Sequence, residues 1–463
     1  NRTHYYNEII DSIVEYRSAQ TMIVEFARTI SSLAVDHLHI IGDIFDRGPK
    51  PHLIMDFLMT HRNVDVQWGN HDVVWMGAAC GNWACIANII RMNVSYNNFD
   101  MLEYGYGINL RPLATLAEKI YKGDECKAFW PHVLDKNRFD PIPEDLAAKM
   151  HKMIAICQFK IEGQIIQAHP EMHLEKRLLL DKIDFKNGTV EVEGTVYPLK
   201  DVNLPTIDPA DPYRLCPEEE EVMIALEASI LRSDKLQEHI QFLYSHGALY
   251  KTLNGNLMFH GCIPFTEDGE FRDVTINGIT QHGAKLMEYL DKELRDAYFN
   301  PPKGKTRAEA ANLMWYLWLG PDSPLFGKDK MTTFERLFIA DKATHKEHVV
   351  PYYRLINQKD ICVKMIRDFG LDASHGKILN GHVPVKIKDG ESPIKGGGML
   401  YVIDGGISKA YQKTTGIAGY TFIFNSRFMA LSEHQPYQPL RPDGTQEFNN
   451  PVIQTVYTLP QRM

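Results

Sequence analysis

Four short stretches of the chain carry residue types that bind divalent cations. They are "GDIFDRG" (42–48), "GNHD" (69–72), "FHGC" (259–262) and "NGHVPV" (380–385). Each follows an apolar run that reads as a buried strand. A loop that merely reversed the chain would need Gly42, Gly48 and Pro49, but not two carboxylates and a guanidinium. The ligand candidates are Asp43, Asn70, His260 and His382. A carboxylate can bridge two cations, and an amide oxygen with imidazoles can complete one cation's shell. Such a pair of cations polarises a phosphoryl group and lowers the pKa of a water that attacks phosphorus. A neighbouring imidazole, His71, could protonate the leaving alkoxide if Asp72 holds the ring in its cationic form. Taken singly, a histidine at a strand end is more often structural, and Asp46 with Arg47 reads equally as a loop salt bridge. The four stretches together, in this order, make a purely structural reading improbable.

The elements that must position these residues follow from periodicity. Residues 5–34 carry apolar positions at helical spacing, "HLHII" (37–41) and "VDVQW" (64–68) read as strands, and 52–61, 83–92 and 109–121 as helices. Strand, glycine-bearing loop, helix and strand in succession imply an α/β sheet with ligands at the carboxyl ends of its strands. Further strands are expected at 161–170 and 255–265, and a hairpin over 182–199 around Asn187-Gly188. An acidic helix follows Cys216, with Glu218 to Glu221 as a solvated first turn opposing the helix dipole. Residues 266–370 read as mostly helical. Trp315, Tyr316 and Trp318 within them favour core or subunit contact over sugar stacking. Two strands with polar ends and an antiparallel pair come later, before a loosely packed tail after Pro436.

Composition bounds the function class. The 463 residues are 44% hydrophobic and 24% charged, ordinary for a globular enzyme. A formal net charge of −9 argues against a nucleic-acid binder but not against an anionic substrate, since local cations override the global sign. No run approaches the roughly 18 apolar residues of a membrane span. Seven scattered cysteines without CxxC spacing favour reduced thiols and a cytoplasmic location.

"GDIFDRG", "GNHD", a strand histidine and "GHVPV" resemble the metallo-dependent phosphatase superfamily. "VDHLHIIGDIFDRGP", "VDVQWGNHDVVWMGA", "YKTLNGNLMFHGCIP", "WYLWLGPDSPLFGK" and "VIDGGISKAYQKTTGIAGYT" extend the likeness across nearly the whole chain. They closely resemble the class III fructose-1,6-bisphosphatases of bacteria, especially Firmicutes. The resemblance implies a four-layer αββα sandwich, sheets flanked by helices, with large mixed insertions. It divides the chain into core at 1–170, 251–265 and 371–435, insertions at 171–250 and 266–370, and an extended tail at 436–463. It implies hydrolysis of the 1-phosphate of fructose 1,6-bisphosphate, usually with Mn²⁺; Fe or Zn also fits the ligand types. Asp43 would be the bridging ligand, and Asn70, His260 and His382 would complete the second metal's shell. His71 would be the proton donor, Asp72 its orienting partner and Arg47 a phosphate clamp. Lys409 and Tyr411 could face the phosphate or sugar. Arg91 and Arg111 are candidates for the second phosphate, although helix-surface pairing is the plainer reading for both.

The superfamily's first motif, Asp-x-His at the end of the first strand, is absent from this sequence. The expectation is a chain whose upstream segment completes the site, and which alone is a weak catalyst. A split polypeptide and a degenerate homologue are the alternatives. Rival functions are a phosphatase for phosphoproteins or dinucleoside polyphosphates, and a non-catalytic scaffold. The expected partners are a sugar bisphosphate and, left open, a second copy of the chain; neither nucleic acid nor membrane is expected.

Overall fold

The periodicity over residues 5–34 is realised as two helices, α1 (Arg2–Glu15) and α2 (Ala19–Ala34), and the apolar run after them as β1 (Leu38–Ile40). The computed structural model describes residues 2–133, 142–386, 389–406, 408, 411, 419–435 and 452–458. From β1 the chain passes through α3 (Pro51–Thr60), with proline at its first turn, into β2 (Val64–Gln67) and directly into α4 (Asn70–Ala79). Strand β2 runs parallel to β1, with His39 opposite Asp65. Next come α5 (Trp83–Ser95), α6 (Arg111–Ile120) and α7 (Glu144–Ala168). The Asn82 side chain caps α5 by accepting the Cys85 N–H at 3.0 Å.

The strand expected at 161–170 is instead the last part of α7, which runs as one helix of 25 residues. Every residue from Ala147 to Gly163 is buried. A helix covered on all sides shows no apolar stripe, so its period is hidden. Gly163 sits inside it because the Tyr213 ring packs there, and a Cβ would stand 2.0 Å from Tyr213 Cδ1.

The hairpin around Asn187-Gly188 is present and continues into a third strand. Strands β3 (Ile183–Asp184), β4 (Thr189–Val192) and β5 (Thr195–Pro198) pair antiparallel. The acidic helix is α8 (Pro217–Leu231), but its first turn is not wholly solvated. Glu219 is fully buried, accepts the Cys216 N–H at 2.8 Å and pairs with the equally buried Lys160 at 2.7 Å. One of four adjacent carboxylates has turned inward because α7 brings an ammonium to meet it.

Helix α9 (Asp234–His246) leads into β6 (Gly247–Ala248), β7 (Tyr250–Leu253) and β8 (Asn256–Phe259). The pair β9 (Val274–Ile276) and β10 (Ile279–Gln281) precedes the helices α10 (Gly283–Phe299), α11 (Arg307–Ala310), α12 (Asn312–Leu319), α13 (Thr333–Phe338), α14 (Tyr352–Leu355) and α15 (Lys359–Asp368). Strands β11 (Ile378–Asn380), β12 (Ile394–Lys395) and β13 (Leu400–Val402) follow. The late antiparallel pair is β14 (Tyr420–Phe424) and β15 (Phe428–Glu433). Of the tail after Pro436, the described part forms β16 (Val452–Thr458), antiparallel to β15.

The fold is therefore mixed α/β, and two of its sheets present the candidate residues. One is parallel, in the order β1-β2-β6. The other has the order β12-β13-β11-β8-β7, with β8, β11 and β13 parallel and antiparallel strands at both edges. Ile41 of the first sheet packs on a cluster of Met258, Leu379 and Tyr401 from the second. Within each sheet parallel strands send their carboxyl ends the same way, so β1 and β2 lead to Asp43 and Asn70, and β8 and β11 to His260 and His382. Among the described residues, no helix is long and apolar enough to cross a membrane. All seven cysteines are free thiols.

Candidate metal centre and proton donor

Asp43 leaves β1 with a left-handed backbone (φ 56), as does His382 after β11 (φ 71). Such conformations cost energy in non-glycine residues and persist where packing over-determines them. Two glycines make the crowding feasible. A Cβ at Gly42 (φ +101) would meet His260 Nδ1 at 2.7 Å, and one at Gly69 would meet Asp43 Oδ1 at 2.0 Å.

The two histidines are oriented by backbone carbonyls. His260 Nδ1 donates to the Ile41 carbonyl at 2.8 Å, and His382 Nε2 donates to the Phe326 carbonyl at 2.7 Å. The remaining nitrogens converge. His260 Nε2 lies 3.3 Å from His382 Nδ1 and 3.2 Å from Asp43 Oδ2. The Asp43, His260 and His382 ligand atoms all fall within 4.8 Å of one another. Asn70 opens α4 next to Gly69: its amide nitrogen points toward the Trp318 carbonyl at 3.5 Å, and its Oδ1 is buried without a partner.

This donor set fits a divalent cation. A buried amide oxygen without a hydrogen bond is costly, and a cation would satisfy it. Imidazoles anchored through one nitrogen to a carbonyl are the usual arrangement of metal-ligating histidines. Burial would lower the pKa of His260, but the adjacent Asp43 carboxylate overrides it and pushes the value up to about 9. Burial and the neighbouring His260 hold His382 down at about 3. Burial would raise Asp43, yet His260 and His71 bring it below the usual carboxylate range.

His71 stands beside this centre at the start of α4. Its backbone N–H donates to Asp43 Oδ1 at 3.1 Å, and its ring meets the Trp318 ring edge-on, with centroids 4.8 Å apart. The partner of its Nε2 is Asp46 Oδ1 at 3.1 Å, not Asp72. Asp72 faces the other way and accepts the backbone N–H groups of Asp43 (2.7 Å), Gly69 (2.9 Å) and Phe45 (3.2 Å). The third residue of a helix folds its carboxylate back over the orphan N–H groups of the first turn, which takes it away from its neighbour's ring. Asp72 therefore staples the Asp43 loop to α4. Burial and the Asp43 charge push its pKa up to about 7.

Arg47 lies between two aromatic rings, its guanidinium carbon 4.8 Å from the Tyr411 centroid and 5.4 Å from that of Tyr96. Its nearest carboxylate contact is Asp46 at 3.6 Å, and a third of the side chain is exposed, so its donors are open to an anion. Tyr411 also hydrogen-bonds Asp46. Lys409 lies outside the described residues. Arg91 is half-buried on α5, donates to Gln158 Oε1 at 2.6 Å, and burial lowers its pKa to about 10. Arg111 is exposed at the first position of α6, a helix that packs on α7 and α8 rather than on the site-bearing strands.

Three contributors are not marked as such in the sequence. Asp46 reads there as half of a loop salt bridge with Arg47, although its place three residues after Asp43 on the same strand-end loop is a usable signal. The Trp318 ring and the Phe326 carbonyl come from α12 and the loop after it, far along the chain, and nothing local announced them. Trp315, Tyr316 and Trp318 are buried, as the core reading expected, but Trp318 is also a wall of the site.

The family model described as Firmicute fructose-1,6-bisphosphatase matches residues 1–457. A Clostridium tetani protein named fructose-1,6-bisphosphatase class 3 is 52% identical over 438 residues, covering 95% of this chain and 66% of the relative. Proteins of the same name from Alkaliphilus metalliredigens and Clostridium novyi are 50% and 47% identical over 440 and 441 residues, with the same coverage. The chain thus spans about two thirds of the length of the curated relatives it matches, 66%. No solved structure matches. On that likeness the chain belongs to the Firmicute fructose-1,6-bisphosphatase family.

Proposed function

We propose that the protein hydrolyses the 1-phosphate of fructose 1,6-bisphosphate to give fructose 6-phosphate and phosphate, as a cytoplasmic, Mn²⁺-dependent enzyme working in the gluconeogenic direction. The observation that carries this reading is the convergence of Asp43, His260 and His382, with two carbonyl-anchored imidazoles, beside His71 and the orphaned amide oxygen of Asn70. The family and the names of its relatives supply the substrate. Reading the two site-bearing sheets as halves of a four-layer sandwich is supported by the packing of Ile41 on Met258, Leu379 and Tyr401.

In this mechanism Asp43, Asn70, His260 and His382 would hold a divalent cation, which when bound would supply the charge that polarises the phosphoryl oxygens and acidifies the attacking water. The protein's own groups do the rest. Arg47, braced by Tyr96 and Tyr411, receives the phosphate through its forked donors. His71 holds a proton at Nε2, kept in place by Asp46, and passes it to the departing sugar oxygen. Asp72 fixes the backbone on which Asp43 sits. The test is phosphate release with Mn²⁺ from fructose 1,6-bisphosphate and from a phosphopeptide, each at equal concentration. Faster release from the sugar is expected, and faster release from the peptide overturns the assignment.

A further inference from the structure

Strand β1 carries a second set of ligand-type residues at the end away from Asp43. His37 and His39 are two residues apart, so strand alternation puts both side chains on one face. The register with β2 places Asp65 directly opposite His39. His37 Nε2 lies 2.9 Å from Asp65 Oδ2, His39 Nδ1 is bonded to Asp65 Oδ1, and the three ligand atoms fall within 4.8 Å of one another. The side chains of His37, His39 and Asp65 are only 21%, 12% and 8% exposed. From the neighbouring sheet, Lys251 of β7 reaches the same carboxylate. His39 Nε2, on the far side of the ring from Asp65, is buried without a partner, so Nδ1 is the nitrogen His39 offers to this cluster.

We infer that His37, His39 and Asp65 form a second divalent-cation site, for a borderline ion such as Zn²⁺ or Co²⁺, which displaces the Lys251 ammonium from the Asp65 carboxylate. Two imidazoles and one carboxylate, with water as fourth ligand, are a donor set of the kind these ions take. Bonds of about 2.0–2.1 Å in a tetrahedron separate donors by roughly 3.3 Å, so His37 Nε2 and Asp65 Oδ2, at 2.9 Å, need spread only slightly, while the His39 ring must back further off the carboxylate. Lys251 is 35% exposed on an edge strand, and its flexible stem can carry the ammonium into water. The site shares no residue with the Asp43 centre. Asp43 lies four residues further along the chain from His39, at most about 13 Å away if fully extended. Bound ion ties β1 to β2; in its absence Lys251 ties Asp65 to the other sheet instead.

The test uses the full chain with Co²⁺ as probe, measuring bound metal by equilibrium dialysis and the visible absorption of the bound ion. His37→Ala should bind one ion fewer than the wild type and lose the corresponding absorption. Lys251→Ala removes the competing charge and should tighten that ion about tenfold. Equal stoichiometry in the wild type and His37→Ala overturns the site. Unchanged Co²⁺ affinity in Lys251→Ala overturns it independently, whether or not His37→Ala folds well.

Discussion

His260 Nε2 and His382 Nδ1 face each other at 3.3 Å, and neither has a hydrogen to share when both rings are neutral. Each ring has committed its N–H to a carbonyl, Ile41 for one and Phe326 for the other. Two lone pairs opposed in a buried place need a cation between them, either a proton or a metal ion. The Asp43 carboxylate completes the triangle, and these three side chains would hold a divalent ion in place of that proton.

Asp43→Asn should therefore lose tightly bound metal and catalytic turnover together. His71→Asn should keep the metal while kcat falls by about 10²–10⁴, the share of a general acid. Metal content by elemental analysis, set beside phosphate release, checks both. Unchanged metal stoichiometry in Asp43→Asn removes it from the ligand set.

The two aspartates near His71 should separate cleanly. Asp46→Asn weakens the hold on the His71 ring and should lower kcat about 10–10²-fold at unchanged metal content and folded stability. Asp72→Asn keeps the shape but weakens the acceptor for three backbone N–H groups, so it should lower stability and metal affinity before it lowers kcat. Urea midpoints and metal titrations on both variants distinguish the roles.

Gly69→Ala should be among the most damaging single-methyl additions in the chain. The new Cβ would stand 2.0 Å from Asp43 Oδ1 and 2.6 Å from the Asp43 nitrogen, so backbone as well as the carboxylate is in its way. A loss of about 1–3 kcal/mol by overpacking is expected, together with loss of metal binding. Thermal melts and metal analysis read both.

Acid should destabilise the metal-free chain. Burial holds His151 at about 3, burial and Arg91 acting together, and His39 and His382 are held equally low. Each is neutral when folded and takes a proton when unfolded below its ordinary value of about 6.5. Their contribution is thus complete above 6.5 and drains as pH falls toward 3. His260 works in the opposite direction: its raised pKa stabilises below 6.5, and that stability is lost as pH rises toward about 9. His151→Phe should reduce the loss between pH 6.5 and 4.5 by up to about 1.4 kcal/mol per pH unit. Urea unfolding at pH 6.5, 5.5 and 4.5 measures it.

The ligand residues were legible because a buried strand that ends in Asp, Asn or His has no local reason to do so. The strands β1, β2, β8 and β11 were legible for the same cause, as short apolar runs bounded by glycine and polar residues. Helix α7 was not, since a helix buried on every face loses the alternation of apolar and polar positions by which a helix is read. Glu219 looked like its exposed neighbours because its partner Lys160 lies on a different element.

Sequence by itself determined the chemistry available: which side chains can bind a cation, which glycines let the backbone approach, and which family the chain belongs to. Tertiary structure alone decided which carboxylate serves His71. Chain adjacency suggested Asp72, but helix geometry turns that side chain onto the backbone and leaves Asp46 as the partner. It likewise decided that the Phe326 carbonyl sets His382 and that Trp318 walls the site, contacts between elements far apart in the chain. Local spacing constrains what a residue can reach within its own element; which distant surface it meets depends on how the elements pack.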